Sequence, residues 1–151
     1  MTIETNTVGE IKISYEKKQK ASELKKVLGS RSATEILRSI WSDRMEYNEE
    51  CVILLLNRQN KVLGYVRISS GGISGTIIDQ RMVFQAALKA NASVVIISHN
   101  HPSGNLTPSE ADIRLTKQLS DAGMLLEISV LDHVILTEEG FYSFSDEGML
   151  S

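Results

Sequence analysis

The sequence predicts an α/β protein, a mixed and mainly antiparallel sheet flanked by helices. Three observations predict it. Residues 51–56, 94–97 and 133–136 are short apolar runs rich in β-branched side chains, the length and type of buried strands. Between them lie two segments of helical period, residues 79–89 and 108–122. The first strand and the alternating residues 62–69 are separated by a turn at Arg58, Gln59 and Asn60, which makes that pair an antiparallel hairpin.

The elements follow in chain order. Residues 11–15 alternate and read as a strand. Residues 30–41 carry Ala33, Ile36, Leu37, Ile40 and Trp41 on one helical stripe, with Ser32 as expected N-cap and Glu35 three residues later. Residues 49–57 hold a central strand and residues 62–69 its return. Gly71, Gly72 and Gly75 mark a bent or flexible loop. Asp79 is placed to cap the next helix, whose inner side would hold Val83, Phe84, Ala87 and Leu88. Thr107 is the expected N-cap of the later helix, with Pro108 at its first position and Glu110 closing a capping box. Leu115, Leu119 and Ala122 share a face with Asp112, and Gly123 is the expected stop. Residues 126–130 and 133–136 read as two strand pieces or one bent strand, and residues 141–144 as a short final strand. Residues 1–45 would be a strand/helix extension and residues 46–151 the main domain.

Bulk properties narrow the function classes. A length of 151 residues suits one core, and 42% hydrophobic residues with a net charge of −3 describe a soluble globular chain. No apolar run reaches the roughly 18 residues of a membrane span, and residues 1–6 lack a basic-then-apolar leader. The single cysteine, Cys51, fits a reducing cytoplasm and reads as a small buried hydrophobe. Residues 12–26 carry Lys12, Lys17, Lys18, Lys20, Lys25 and Lys26 against Glu16 and Glu23. Such a patch can meet a phosphate backbone, although a solvated helix face is the commoner reason for one. The overall negative charge argues against strong nonspecific nucleic-acid binding.

The chemistry concentrates in residues 98–112. His99 and His101 follow a buried strand at alternate positions, so both point the same way if the strand continues. Ser109 and Asp112 are three apart on one helix face. If strand end and helix start converge, His99, His101 and Asp112 supply three ligands and leave a fourth position for water. That is the pattern of a catalytic zinc site rather than a structural one. Zinc is the expected ion, although iron or manganese would tolerate the same set. Glu49 and Glu50 head the central strand and point to opposite faces, so one of them could take the proton of a metal-bound water. Ser109 could donate to a developing oxyanion. Asn100 and Ser103 are expected to hold the loop or to support the ligands from behind. Asp132 is a candidate partner for the outer nitrogen of a ligand histidine. His133, in an apolar strand, is expected in the core or beside the ligands rather than as a fourth ligand.

His99-x-His101, seven residues, Ser109, two residues, Asp112 resembles the JAMM (MPN+) metallopeptidase signature. The longer form, with Asn100, Pro102, Ser103 and Gly104, then Pro108 and a later Leu131-Asp132-His133, is similar to the RadC branch of that superfamily. The resemblance runs from about Glu49 to the end of the chain and makes residues 46–151 a JAMM-like domain of cytidine-deaminase-like fold. It implies that His99, His101 and Asp112 bind Zn2+ and that Ser109 helps stabilise an oxyanion. It places the general acid/base at Glu49, eight residues before Asn57. The activity implied is hydrolysis of an amide, peptide or isopeptide, in a peptide or protein substrate. The family is also linked to DNA repair. The alternative is therefore a DNA-associated repair or binding protein with a structural or vestigial metal site, contacting nucleic acid through residues 12–26.

Overall fold

β1 (Glu50–Leu56) is buried along its whole length in the computed structural model, which describes residues 8–12, 19–70 and 78–150. An apolar strand without a polar side has to be covered on both faces and paired on both edges. β1 pairs antiparallel with β2 (Val62–Ser70) on one side and with β3 (Val94–Asn100) on the other. β3 pairs parallel with β4 (Ser129–Leu136), and β4 antiparallel with β5 (Phe141–Ser143). The order β2-β1-β3-β4-β5 is the mixed, mainly antiparallel sheet that the sequence predicts. The one parallel pairing follows from the chain between its strands, where α3 (Glu110–Leu125) makes the crossover that parallel neighbours require.

Helices cover both faces. Val83, Phe84 and Ala87 of α2 (Gln80–Lys89) and Leu119 of α3 pack with Cys51, Ile53, Val95 and Ile97. Ala33 and Leu37 of α1 (Ser30–Ile40), with Met45, pack with Val52, Leu54, Ile96 and Val134. Odd-numbered residues of β1 and β3 therefore face α2 and α3, and even-numbered ones face α1. This alternation decides which side chains reach the candidate site.

Three helix ends differ from the sequence reading. Gly29, not Ser32, occupies the N-cap of α1. Ser32 does the capping from inside the first turn, its hydroxyl accepting from the amides of Leu28 and Gly29 at 2.7 and 3.1 Å. α3 begins two residues later than expected, with Ser109 rather than Thr107 as N-cap. It also runs through Gly123 to Leu125. Gly123 is there for close approach: a Cβ on it would lie 2.3 Å from the carbonyl oxygen of Ile128, where the chain turns back into β4. Gly123→Ala is expected to destabilise the chain by about 1–3 kcal/mol despite the better helix propensity of alanine, because the neighbour is backbone and has to shift. Urea unfolding measures it, and an unchanged midpoint would refute the close-approach reading.

Other expectations divide. Asp79 caps α2 as predicted, accepting from the Arg81 amide at 2.9 Å. Leu88, expected on the inner side of α2, is exposed, because the stripe that meets the sheet is Val83, Phe84 and Ala87. β4 is one strand from Ser129. The expected strand at residues 11–15, the loop glycines Gly71, Gly72 and Gly75, and Lys17 and Lys18 lie wholly or largely outside the described residues. Burial pushes the Cys51 thiol up to about 12, so it stays protonated at neutral pH, in keeping with a small hydrophobe. Among the described residues no helix is long and apolar enough to cross a membrane.

Candidate metal centre

His99 is odd-numbered, so its imidazole leaves β3 on the face that α3 covers, and it is buried there. His101 lies just past the strand, but its amide still donates to the Leu136 carbonyl at 2.9 Å. The alternation therefore carries through to it, and the two rings meet at a centroid distance of 4.8 Å. The turn after His101 is closed by the Gly104 amide donating to the His101 carbonyl at 3.0 Å, and Gly104 takes a φ of 86°, where only glycine is unstrained. The turn returns the Asn105 carbonyl to 2.6 Å from His101 Nδ1. A carbonyl only accepts, so that nitrogen carries the hydrogen and His101 Nε2 carries the lone pair.

The register of α3 brings the third donor. With Ser109 at the N-cap, Asp112 is the third residue of the helix, and its Oδ2 accepts from the Ser109 amide at 2.9 Å while Ser109 Oγ accepts from the Asp112 amide at 3.0 Å. The cap expected from Thr107 and Glu110 would have left Asp112 further along the helix; in the structure Glu110 points into solvent. The reciprocal cap turns the Asp112 carboxylate back towards the strand end. Oδ1 lies 3.5 Å from His99 Nε2 and Oδ2 3.5 Å from His101 Nε2, and the two Nε2 atoms are 3.0 Å apart. The three donor atoms lie within 4.8 Å of one another.

Electrostatics agree with this convergence. Burial pushes the Asp112 carboxyl up, but the two imidazoles beside it and the bond from the Ser109 amide outweigh burial and hold the group well below the ordinary carboxylate range. A carboxylate 3.5 Å from His101 Nε2 favours a positive charge at that atom, so Asp112 raises the proton affinity of His101 against the opposing effect of burial. A carboxylate and imidazole lone pairs at these distances repel one another unless a cation lies among them. Two imidazole nitrogens and one carboxylate oxygen are donors that zinc and other first-row divalent ions accept. The residues present therefore fit a divalent metal.

The two glutamates separate as alternation requires. Glu50 goes to the α1 face, where it is buried, pairs with Arg67 at 3.4 Å and bonds the Ser42 hydroxyl. Glu49 precedes Cys51, which faces α3, by two residues. Continuing the Cys51–His99 pairing outward places Glu49 opposite His101, and its charge is among those that raise the His101 proton affinity. Asn100 faces the other way and holds the loop after α1: its side chain accepts from the Glu50 amide at 2.7 Å and donates to the Met45 and Asn48 carbonyls. Ser103 is exposed and accepts from the Asn105 amide at 3.3 Å.

Asp132 does not contact a ligand histidine. Its Oδ1 accepts from the amides of His133 and Ser145, and its Oδ2 from the Ser143 hydroxyl at 2.6 Å, so it ties β4 to β5 and the turn beyond. Adjacent strand residues point to opposite faces, so with Asp132 turned away it is His133 that reaches His99, at 2.7 Å from His133 Nε2 to His99 Nδ1. Thr116, not singled out from sequence, lies 2.6 Å from the other nitrogen of His133. Its only signal was position, one helical turn after Asp112.

A family model described as "RadC-like JAB domain" matches residues 27–149. A protein of Flavobacterium johnsoniae named only as a UPF0758 protein is 45% identical over 126 residues, covering 83% of this chain and 54% of that one. UPF0758 proteins of Geotalea uraniireducens and Porphyromonas gingivalis are 44% and 43% identical over 102 and 103 residues; each match covers 68% of this chain and 45% of the relative. The chain spans about half the length of the curated relatives it matches.

Proposed function

We propose that this chain, which belongs to the RadC family and carries its JAB-type domain, is a zinc-dependent hydrolase of amide bonds, peptide or isopeptide, in a protein substrate. The observation that carries the reading is the convergence of His99, His101 and Asp112 donor atoms within 4.8 Å at the end of β3; the influence of the Glu49 charge on His101 supports Glu49 as the acid/base.

A zinc ion held there would lower the pKa of a bound water to about 7 and polarise the scissile carbonyl. Glu49 takes a proton from the attacking water as its oxygen bonds to the carbonyl carbon. It returns that proton to the nitrogen as the C–N bond breaks, releasing an amine and a carboxylate. Ser109 already accepts from the Asp112 amide, and its hydroxyl hydrogen has no acceptor among the described residues. It donates that hydrogen to the carbonyl oxygen as negative charge builds there. The surroundings fit a cytoplasmic setting, in which the lone, buried Cys51 stays reduced.

The test is a panel of peptide and isopeptide substrates assayed with the 151-residue chain as purified, after chelation, and after re-addition of zinc. Cleavage that disappears on chelation and returns with zinc is the expected result. A protein that takes up zinc and cleaves no member of the panel would count against hydrolysis of this bond class, and one that takes up no divalent metal would remove the reading altogether.

A further inference from the structure

We infer that His133 and Thr116 are positioning residues, a buried hydrogen-bond relay that holds His99 in the one tautomer able to bind a metal. The inference rests on the proposed reading of the centre as a metal site and adds how the chain prepares it. His99 Nδ1 lies 2.7 Å from His133 Nε2, His133 Nδ1 lies 2.6 Å from Thr116 Oγ1, and Thr116 Oγ1 lies 2.7 Å from the main-chain oxygen of Asp112. All three side chains are buried, so each of these contacts has to contain a hydrogen.

Counting hydrogens gives the relay a direction. The Asp112 carbonyl can only accept. Two oxygens 2.7 Å apart need a hydrogen between them, so Thr116 gives its single hydroxyl hydrogen to that carbonyl. Thr116 Oγ1 must then accept from His133, which puts the hydrogen of His133 on Nδ1. His133 is fully buried, stacks on Phe144 at a centroid distance of 4.7 Å, and has no carboxylate against its ring among the described residues, so it carries one N–H. Its Nε2 therefore accepts from His99 Nδ1. His99 keeps its lone pair on Nε2, the atom 3.5 Å from Asp112 Oδ1.

The opposite direction fails at one contact. It would turn the Thr116 hydrogen to His133, leave Thr116 Oγ1 and the Asp112 oxygen in close contact with nothing between them, and place an N–H of His99 in the centre, where it could not ligate. His101 reaches the same tautomer independently, through the Asn105 carbonyl. Asp112 thus acts twice: its carboxylate joins the centre, and its main-chain oxygen sets the tautomer of a second ligand three groups away.

Nitrogen-detected imidazole NMR of the metal-free chain, followed upward in pH until the ring signals stop changing, reads the tautomers directly. The expected result is Nδ1–H on His99, His101 and His133; an Nε2–H on His133 overturns the inference. Zinc affinity, measured by competition with a chelator, gives a second readout. Thr116→Val removes the acceptor of His133 and keeps the side-chain shape. His133→Phe keeps the stack on Phe144 and removes the acceptor of His99. His133→Gln sets an amide oxygen near the former Nε2. The first two should bind zinc about 10–100-fold more weakly, with His133→Gln recovering most of the affinity. Unchanged affinity in Thr116→Val and His133→Phe, or equal loss in His133→Phe and His133→Gln, overturns the relay. Zinc uptake with Nε2–H on His133 removes the relay and leaves the metal reading standing. No zinc uptake with all three Nδ1–H tautomers present removes the metal reading and leaves the wiring.

Discussion

Asp112→Ala, His99→Ala and His101→Ala should each bring the metal content of protein purified without chelator from about one ion per chain to none detectable. Each removes one of the three donors that converge among the described residues. Outer hydrogen-bond partners of a ligand are themselves worth about 10–100-fold in affinity, so a ligand should be worth more than about 100-fold. The variants differ in what else they disturb. Asp112→Ala loses the bond from the Ser109 amide at the start of α3, at about 1 kcal/mol. Asp112→Asn keeps an acceptor for that amide and separates metal loss from helix loss. His99→Ala opens a gap in a buried strand and leaves His133 Nε2 without its donor, so a larger fall in stability, about 2–4 kcal/mol, accompanies the metal loss. Elemental mass spectrometry with circular dichroism on the same samples reads both effects. A folded Asp112→Ala or Asp112→Asn protein that retains its metal would show that the ion sits elsewhere.

Glu49→Gln should lower hydrolysis by about 10²–10⁴-fold while metal content and thermal midpoint stay near wild type. The amide is nearly isosteric but can neither take a proton from water nor hand one to the departing amine. Glu50→Gln is the built-in control, because Glu50 lies on the far face, engaged with Arg67 and Ser42. It should lose some stability and keep turnover once folded. Equal losses of kcat in the two variants, or full activity in a metal-loaded Glu49→Gln protein, would take Glu49 out of the chemistry.

Much of what depends on neighbours along the chain was legible beforehand, the helix ends being the exception. Apolar runs of strand length marked β1 and β3, a three-residue turn marked the hairpin, and the alternate placement of His99 and His101 put both rings on one face. The spacing of Ser109 and Asp112 put a carboxylate near a helix start. Two capping pairs overlap in that stretch, however, Thr107 with Glu110 and Ser109 with Asp112, and local propensity favours the first, which has Pro108 at N1 and a glutamate at N3. The docked helix uses the second, because only that register turns Asp112 towards the histidines while Glu110 stays in water.

By itself, then, the sequence determined the fold class, the places of β1, β2 and β3 and the three donors of the centre, since each follows from periodicity and residue type over a few positions. Tertiary structure alone decided the rest. Alternation says that Glu49 and Glu50 diverge, but which one meets the histidines depends on which helices cover which face. Gly123 has the composition of a helix stop, yet its role comes from the Ile128 carbonyl passing over it. His133 is 34 residues from His99 and Thr116 is 17 from His133, and parallel pairing of β3 with β4 under α3 makes them one hydrogen-bonded chain. Contacts between segments far apart in sequence leave no local period to read, because what selects them is the burial of a whole face and the need of each buried polar atom for a partner.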